Sequence, residues 1–177
     1  MNILMTILLV LAGIIVLLLL IALLSKKDFS IEKQITIHKP KQQVFDYLKI
    51  IRNQERYSVW VMKDPHIKIV YTGTDGTVGF KSAWESDNKN VGIGEQEIIK
   101  MTGGESMEVE IRFKKPFEGV SYALTTVASS GEAQTIVTNR YYGKTRFPVN
   151  IMHFMMDKFL SKDMQTNLEN LKNNLEK

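Results

Sequence analysis

The sequence predicts an α+β protein: a curved antiparallel sheet of about seven strands around a long C-terminal helix, preceded by one transmembrane helix. Three observations carry that reading. No charged residue occurs between Met1 and Leu24. Between His66 and Gly143, short alternating runs of apolar and polar residues follow one another with turn residues between them. From about Pro148 to Lys177, apolar residues recur at spacings of three and four, as on one face of a helix.

The first element is the apolar run. "ILLVLAGIIVLLLLIALL", Ile7 to Leu24, is 18 residues without a polar side chain, and Ile3 to Met5 can extend it. About 22 residues at roughly 1.5 Å each reach ~33 Å, enough to cross a bilayer core with some tilt. A cleaved signal peptide is the rival reading. Against it, no basic segment precedes the run, the run is too long for a signal core, and no small-x-small site follows "IALLSKK". The expectation is a membrane anchor over residues 1–25 and one domain over residues 26–177. Lys26 and Lys27 flank the C-terminal end of the run and no basic residue flanks the other, which places the domain on the cytoplasmic side. Lys33, Lys39 and Lys41 follow, either facing an anionic leaflet or simply solvated.

The domain opens with "FSIEKQITIH", where Phe29, Ile31, Ile35 and Ile37 share one parity and Lys33 interrupts it: a strand with one buried face. Pro40 starts a helix, and Val44, Phe45, Leu48 and Ile51 follow at helical spacing. "QERYSVWV" allows one more helical turn. Six strands come next: "HIKIVYTG", "VGFKSAWES", "VGIGEQEIIKM", "SMEVEIRFK", "VSYALTTVA" and "AQTIVTNRYYG". Short turns join them, so they form an antiparallel meander. Gly79, Gly92 and Gly94 fall within strand patterns and predict bulges or bends that let the sheet curl. In the last segment Met152, Met155, Met156, Phe159, Leu160, Met164, Leu168, Leu171 and Leu175 mark one face of a helix about 25 residues long. A sheet with one apolar face must cover it, and this helix is the long element left to do so.

Composition narrows function. The chain has no cysteine, which excludes disulfides, thiolate chemistry and cysteine-ligated zinc. A formal charge of +4 without clustered basic residues does not suit a nucleic-acid binder. His38, His66 and His153 show no metal-ligand spacing, so no metal is expected. His153 and Asp157 are four apart, which reads as a surface pair before it reads as an oriented base. Glu95 and Glu97 share a strand face and Gln96 and Ile98 the opposite one. "GTDGTVG" and "VGIG" do not stand between a strand and a helix, so neither is a phosphate loop.

The element order, together with "KPKQQVFDYL", "YSVW", "GTVGFKSAWES", "VGIGEQEI", "FKKPFEG", "TIVTNRYYGK" and the closing "MMDKFLSKDMQTNLENLKNNLE", resembles the SRPBCC or START-like superfamily, in its polyketide cyclase/dehydrase-like branch. The resemblance covers about Phe29 to Lys177. It implies a helix-grip fold with an apolar pocket between the sheet and the C-terminal helix, in a family whose members bind lipids and other hydrophobic molecules and in a few cases act on them. It also implies that Gln96 and Ile98 are the pair that looks inward, which leaves Glu95 and Glu97 to solvent. The chain departs from the family pattern in two places. Tyr57-Ser58-Val59-Trp60 replaces a tryptophan-serine-proline-tryptophan stretch, and Asn139 stands where an aromatic is frequent, so no relative's ligand carries over.

The expected ligand-binding residues are Trp60 and Trp84 as aromatic walls, Gln96, Asn139 and Tyr141 as polar contacts, and Met152, Met155, Met156 and Phe159 as an adaptable apolar face. The functional expectation is a membrane-tethered binding domain for a hydrophobic small molecule or lipid, with no cofactor. An enzyme working on such a substrate in the same cavity is the first alternative. A scaffold module with a solid core is the second.

Overall fold

The computed structural model describes residues 2–177, with side chains for all of them except 152–156. Helix α1 (Ile3–Leu24) leads into β1 (Asp28–Ile37), α2 (Lys41–Leu48), a 3-10 turn (Ile51–Arg56) and α3 (Val59–Met62). Strands β2 (Lys68–Thr72), β3 (Lys81–Glu85), β4 (Ile93–Thr102), β5 (Ser106–Lys115), β6 (Gly119–Gly131) and β7 (Gln134–Lys144) follow. A 3-10 turn (Val149–Met152) then opens α4 (His153–Glu176). The strands form one seven-stranded sheet in the order β1-β7-β6-β5-β4-β3-β2, with every pairing antiparallel. This is the helix-grip arrangement: a meander of six strands, closed on its far side by β1 pairing with β7.

Register fixes which ends of the strands lie together. Asp28 pairs with Lys144, Ser121 with Gly143, Phe113 with Gly119, Ile93 with Lys115 and Glu85 with Ile93. The start of β1, the end of β7, the β5–β6 turn and the β3–β4 loop therefore share one end of the sheet. α4 starts at this end too. It finishes at the other, where the His38 backbone N–H donates to Glu176 Oε1 at 2.6 Å and the His38 ring approaches the same oxygen at 3.0 Å. That backbone hydrogen bond, with the ring contact behind it, holds the Glu176 carboxyl below its ordinary range.

The glycine expectation needs correcting in part. Gly79 and Gly92 do not lie inside strands: they stand just ahead of β3 and β4 with φ of +89° and +67°. A Cβ on Gly92 would lie 2.1 Å from the Lys115 carbonyl oxygen, so this loop needs both the positive φ and the absence of a side chain. The register shift falls at Ile93/Gly94, with others at Ile98/Lys100 and Ser129/Gly131.

Two clusters of buried side chains make the core. The larger joins Ile37, Phe45, Leu48, Val137, Leu168 and Leu171, from β1, α2, β7 and α4. The smaller joins Ile51, Phe80, Ile98, Met107 and Val109 at the foot of β3, β4 and β5. Both lie toward the end of the sheet where α4 finishes. Helix α1 joins neither: Ala22 is its one buried side chain among the described residues, and its leucines and isoleucines are exposed.

Candidate functional site

Between the concave face of the sheet, α4 and the α2–α3 segment lies a cavity of about 320 Å³. Inward-facing side chains change along each element that borders it. On β5, Met107 and Val109 are buried, whereas Ile111 and Phe113 are half-exposed. On β7, Thr135 and Val137 are buried and Asn139 and Tyr141 half-exposed; on α4, Leu171, Leu168 and Met164 are buried and Leu160 is not. The packing is thus solid at one end of the sheet, and the cavity lies toward the end where β1 begins.

Among the described residues, no lining side chain is an aspartate, glutamate, lysine, arginine or histidine. The walls are apolar and aromatic, with a few amides and hydroxyls that mostly have partners already. Gln96 Nε2 donates to Gln54 Oε1 at 2.8 Å, and Asn139 Nδ2 donates to Thr125 Oγ1 at 2.9 Å. The Val59 N–H donates to Asn167 Oδ1 at 2.7 Å. The indole N–H of Trp84 donates to the Val91 carbonyl at 3.3 Å, while its ring meets Phe113 edge-on at 5.9 Å between centroids. Burial pushes the Tyr57 and Tyr141 hydroxyls above the ordinary tyrosine range, so both are neutral donors at physiological pH.

Local sequence explains how these groups are held. Trp84 pairs across β3–β4 with Gly94, and a Cβ there would come within 2.5 Å of the indole ring. The glycine leaves room for the ring to lie against the neighbouring strand. The α3 segment is fixed by three asparagines of α4: Asn167 accepts from Val59, Asn170 Nδ2 donates to the Tyr57 carbonyl at 3.1 Å, and Asn174 Nδ2 donates to the Arg56 carbonyl at 2.9 Å. Their spacing of three and four puts them on one stripe of the helix, where they satisfy backbone groups of a segment too short to satisfy its own.

Trp60, Trp84, Gln96, Asn139 and Tyr141 all line this one cavity. The side chains of Met152, Met155 and Met156, and of His153 in its pairing with Asp157, lie outside the described residues. Phe159 is placed elsewhere. It is 65% exposed and does not border the cavity, because five residues separate it from buried Met164 and at 3.6 residues per turn that turns it roughly 140° away. Spacings of three and four drift round a helix, and the stripe that runs through Leu160 is the one that faces the sheet. Ser82, Thr125 and Asn167 were not anticipated. A polar residue within the Met164–Leu168–Leu171 stripe was the available signal for Asn167.

Ile98 is buried and Gln96 points inward, whereas Glu95 and Glu97 lie on the outer face. There Arg112 Nε donates to Glu95 at 2.7 Å, its Nη2 to Glu97 at 2.6 Å and its Nη1 to Glu110. The Glu97 carboxyl is held below its usual range chiefly by Arg112. This cluster ties β4 to β5 and stays clear of the cavity. Among the described residues no group of histidines and carboxylates could hold a metal ion.

A family model described as polyketide cyclase/dehydrase and lipid transport matches residues 28–176. A search among curated proteins finds no sequence match. Among solved structures, the chain is similar to the Zhui aromatase/cyclase from Streptomyces sp. R1128, with a TM-score of 0.63 at 11% identity over 84% of this chain and 94% of that one. It is also similar to a point mutant of norcoclaurine synthase from Thalictrum flavum in complex with a transition-state analogue (TM-score 0.61, 12% identity, 85% and 97% coverage). A Thermobifida fusca protein gives a TM-score of 0.62 at 9% identity over 82% of this chain and 92% of that one. At such identities the likeness shows the fold alone.

Proposed function

Taking as premise that the chain belongs to the polyketide cyclase/dehydrase and lipid transport family, we propose that it binds one apolar small molecule, a lipid or lipid-like metabolite, while held at a membrane by α1. The observation that carries this reading is the uncharged cavity. At about 320 Å³ it stands at the low end of small-molecule sites, which run from roughly 300 to 1,000 Å³. That size suits a single acyl chain or a compact ring system better than a two-chain lipid. Proton-transfer catalysis favours a group titrating near the working pH, and the titratable groups on the described wall are tyrosines pushed away from it. Binding needs no such group: Gln96, Asn139 and Tyr141 can orient a polar head while the walls exclude water. Lys26 and Lys27 at the end of α1 favour the cytoplasmic side for the domain.

The chain has two tryptophans, Trp60 and Trp84, and both line the cavity, so its intrinsic emission reports on what enters. The test titrates the full chain, reconstituted in nanodiscs, with a brominated fatty acid. Saturable quenching is expected, and it should be lost in Ala123→Phe, which fills the cavity from β6, while the far-ultraviolet spectrum is unchanged. Quenching that never saturates, or that survives Ala123→Phe undiminished, would remove the binding reading.

A further inference from the structure

Among the described residues, the structure ties α1 to the domain at the link between β7 and α4, at the end of the sheet toward which the cavity lies. Three residues, Ser25 to Lys27, separate α1 from β1. The Asn150 side-chain amide donates to the Ala22 carbonyl at 2.6 Å and to the Ser25 carbonyl at 3.2 Å. Asn150 is 0% exposed and Ala22 1%. Beside them, the Thr145 N–H donates to the Lys27 carbonyl at 2.9 Å. The last turn of α1 is therefore clamped to the link between β7 and α4 and cannot swivel freely about the short connection. The carbonyls at this helix end lack intrahelical partners, and Asn150 supplies a donor to them.

This clamp sets depth as well as direction. Ala22 lies two residues inside the end of an apolar helix, about 3 Å along its axis, so the link that touches it sits at the level of the lipid headgroups once α1 spans a bilayer. Exposed on that link are Phe147 (45%) and Val149 (40%), and Phe117 (68%) caps the β5–β6 turn at the same end of the sheet. Lys26, Lys27, Lys89, Lys114, Lys115, Lys144 and Arg146 are exposed around them and outnumber the acidic Asp28, Glu85, Asp87 and Glu118. Aromatic and aliphatic tips within a basic ring are the chemistry of a surface that beds into anionic headgroups. Register puts this rim at the end of the sheet toward which the cavity lies, where the inward side chains turn from buried to half-exposed.

We propose that the rim formed by the β5–β6 turn, residues 144–149 and the clamped end of α1 docks on the anionic bilayer that α1 spans, so that the mouth of the cavity faces the lipid. The cavity then exchanges its ligand with the membrane and not with bulk water. This rests on the binding reading for its purpose but not for its geometry, and the two fail separately.

The absence of cysteine allows clean single labels. An environment-sensitive fluorophore is placed on Phe117→Cys and Phe147→Cys at the rim, and on Gly103→Cys and Glu132→Cys in the turns at the far end of the sheet. β7 alone, at 11 residues and roughly 3.3 Å each, sets about 36 Å between the two ends. Full chains are reconstituted in phosphatidylglycerol-containing nanodiscs carrying headgroup-nitroxide lipid. Rim labels should be quenched several-fold more than far-end labels, and the excess should shrink in pure phosphatidylcholine. Asn150→Leu, which removes the clamp, should reduce it as well. Rim and far-end labels quenched alike in the unclamped and clamped chains would overturn the docked orientation. Rim quenching without saturable fatty-acid binding would instead retain the orientation and discard the ligand.

Discussion

Gly94 and Trp84 illustrate how a single position shapes this cavity. The indole is a wall of the cavity, and it can take that place because the residue paired with it has no side chain. In Gly94→Ala the new methyl would sit 2.5 Å from the ring and 2.7 Å from the Arg112 carbonyl. The backbone oxygen belongs to the β4–β5 ladder and cannot retreat, so the indole must. Overpacking of this kind costs about 1–3 kcal/mol. The expected outcome is a lower urea midpoint with a red-shifted tryptophan emission, as the ring leaves its place in the cavity wall; a variant with wild-type emission would show that the glycine has no part in placing Trp84. Polar positions follow the same logic. Asn139 stands where an aromatic would have filled space, and its amide is held by Thr125, which leaves both volume and a fixed polar group on β7.

At the scale of an element, α4 carries two readings on one cylinder. Its apolar stripe, through Leu160, Met164, Leu168, Leu171 and Leu175, covers the sheet, and an adjoining row of asparagines fastens the α3 segment. Leu171 is buried against the core and also borders the cavity. Leu171→Ala should therefore cost about 2–5 kcal/mol, the range for deleting a buried leucine side chain. Phe159→Ser, on the exposed side of the same helix, should stay within about 0.5 kcal/mol. Parallel urea denaturation of the two variants checks this, and a comparable loss for both would mean that the stripe has been drawn on the wrong face. Much of α4 was legible in advance, because helical periodicity is written in local spacing. Phe159 was misplaced for the same reason: spacings of three and four admit neighbouring stripes, and only the sheet selects among them. The strands read similarly. Alternation located all seven, whereas the two loop glycines at 79 and 92 looked like strand interior because a positive φ leaves no mark on the apolar pattern.

For the whole molecule, the governing contrast is that between α1 and the helix-grip domain. α1 is apolar on every side and the domain buries one residue of it, Ala22. A helix of that composition left in water would expose apolar surface along its full length, an outcome soluble proteins avoid. Membranes carrying the full chain should thus retain it through an alkaline carbonate wash, and recovery in the supernatant would show that α1 does not span. What the sequence determined by itself was the long apolar first helix, the α+β class, the strand meander and the long final helix, because each depends on hydropathy, periodicity and turn chemistry over a few residues. What only the tertiary structure decided was which side chains face a common space and that Asn150 joins α1 to the link between β7 and α4. Those depend on register, sheet curvature and contacts across more than a hundred residues of chain, as in the 128 that separate Asn150 from Ala22. No local pattern records them.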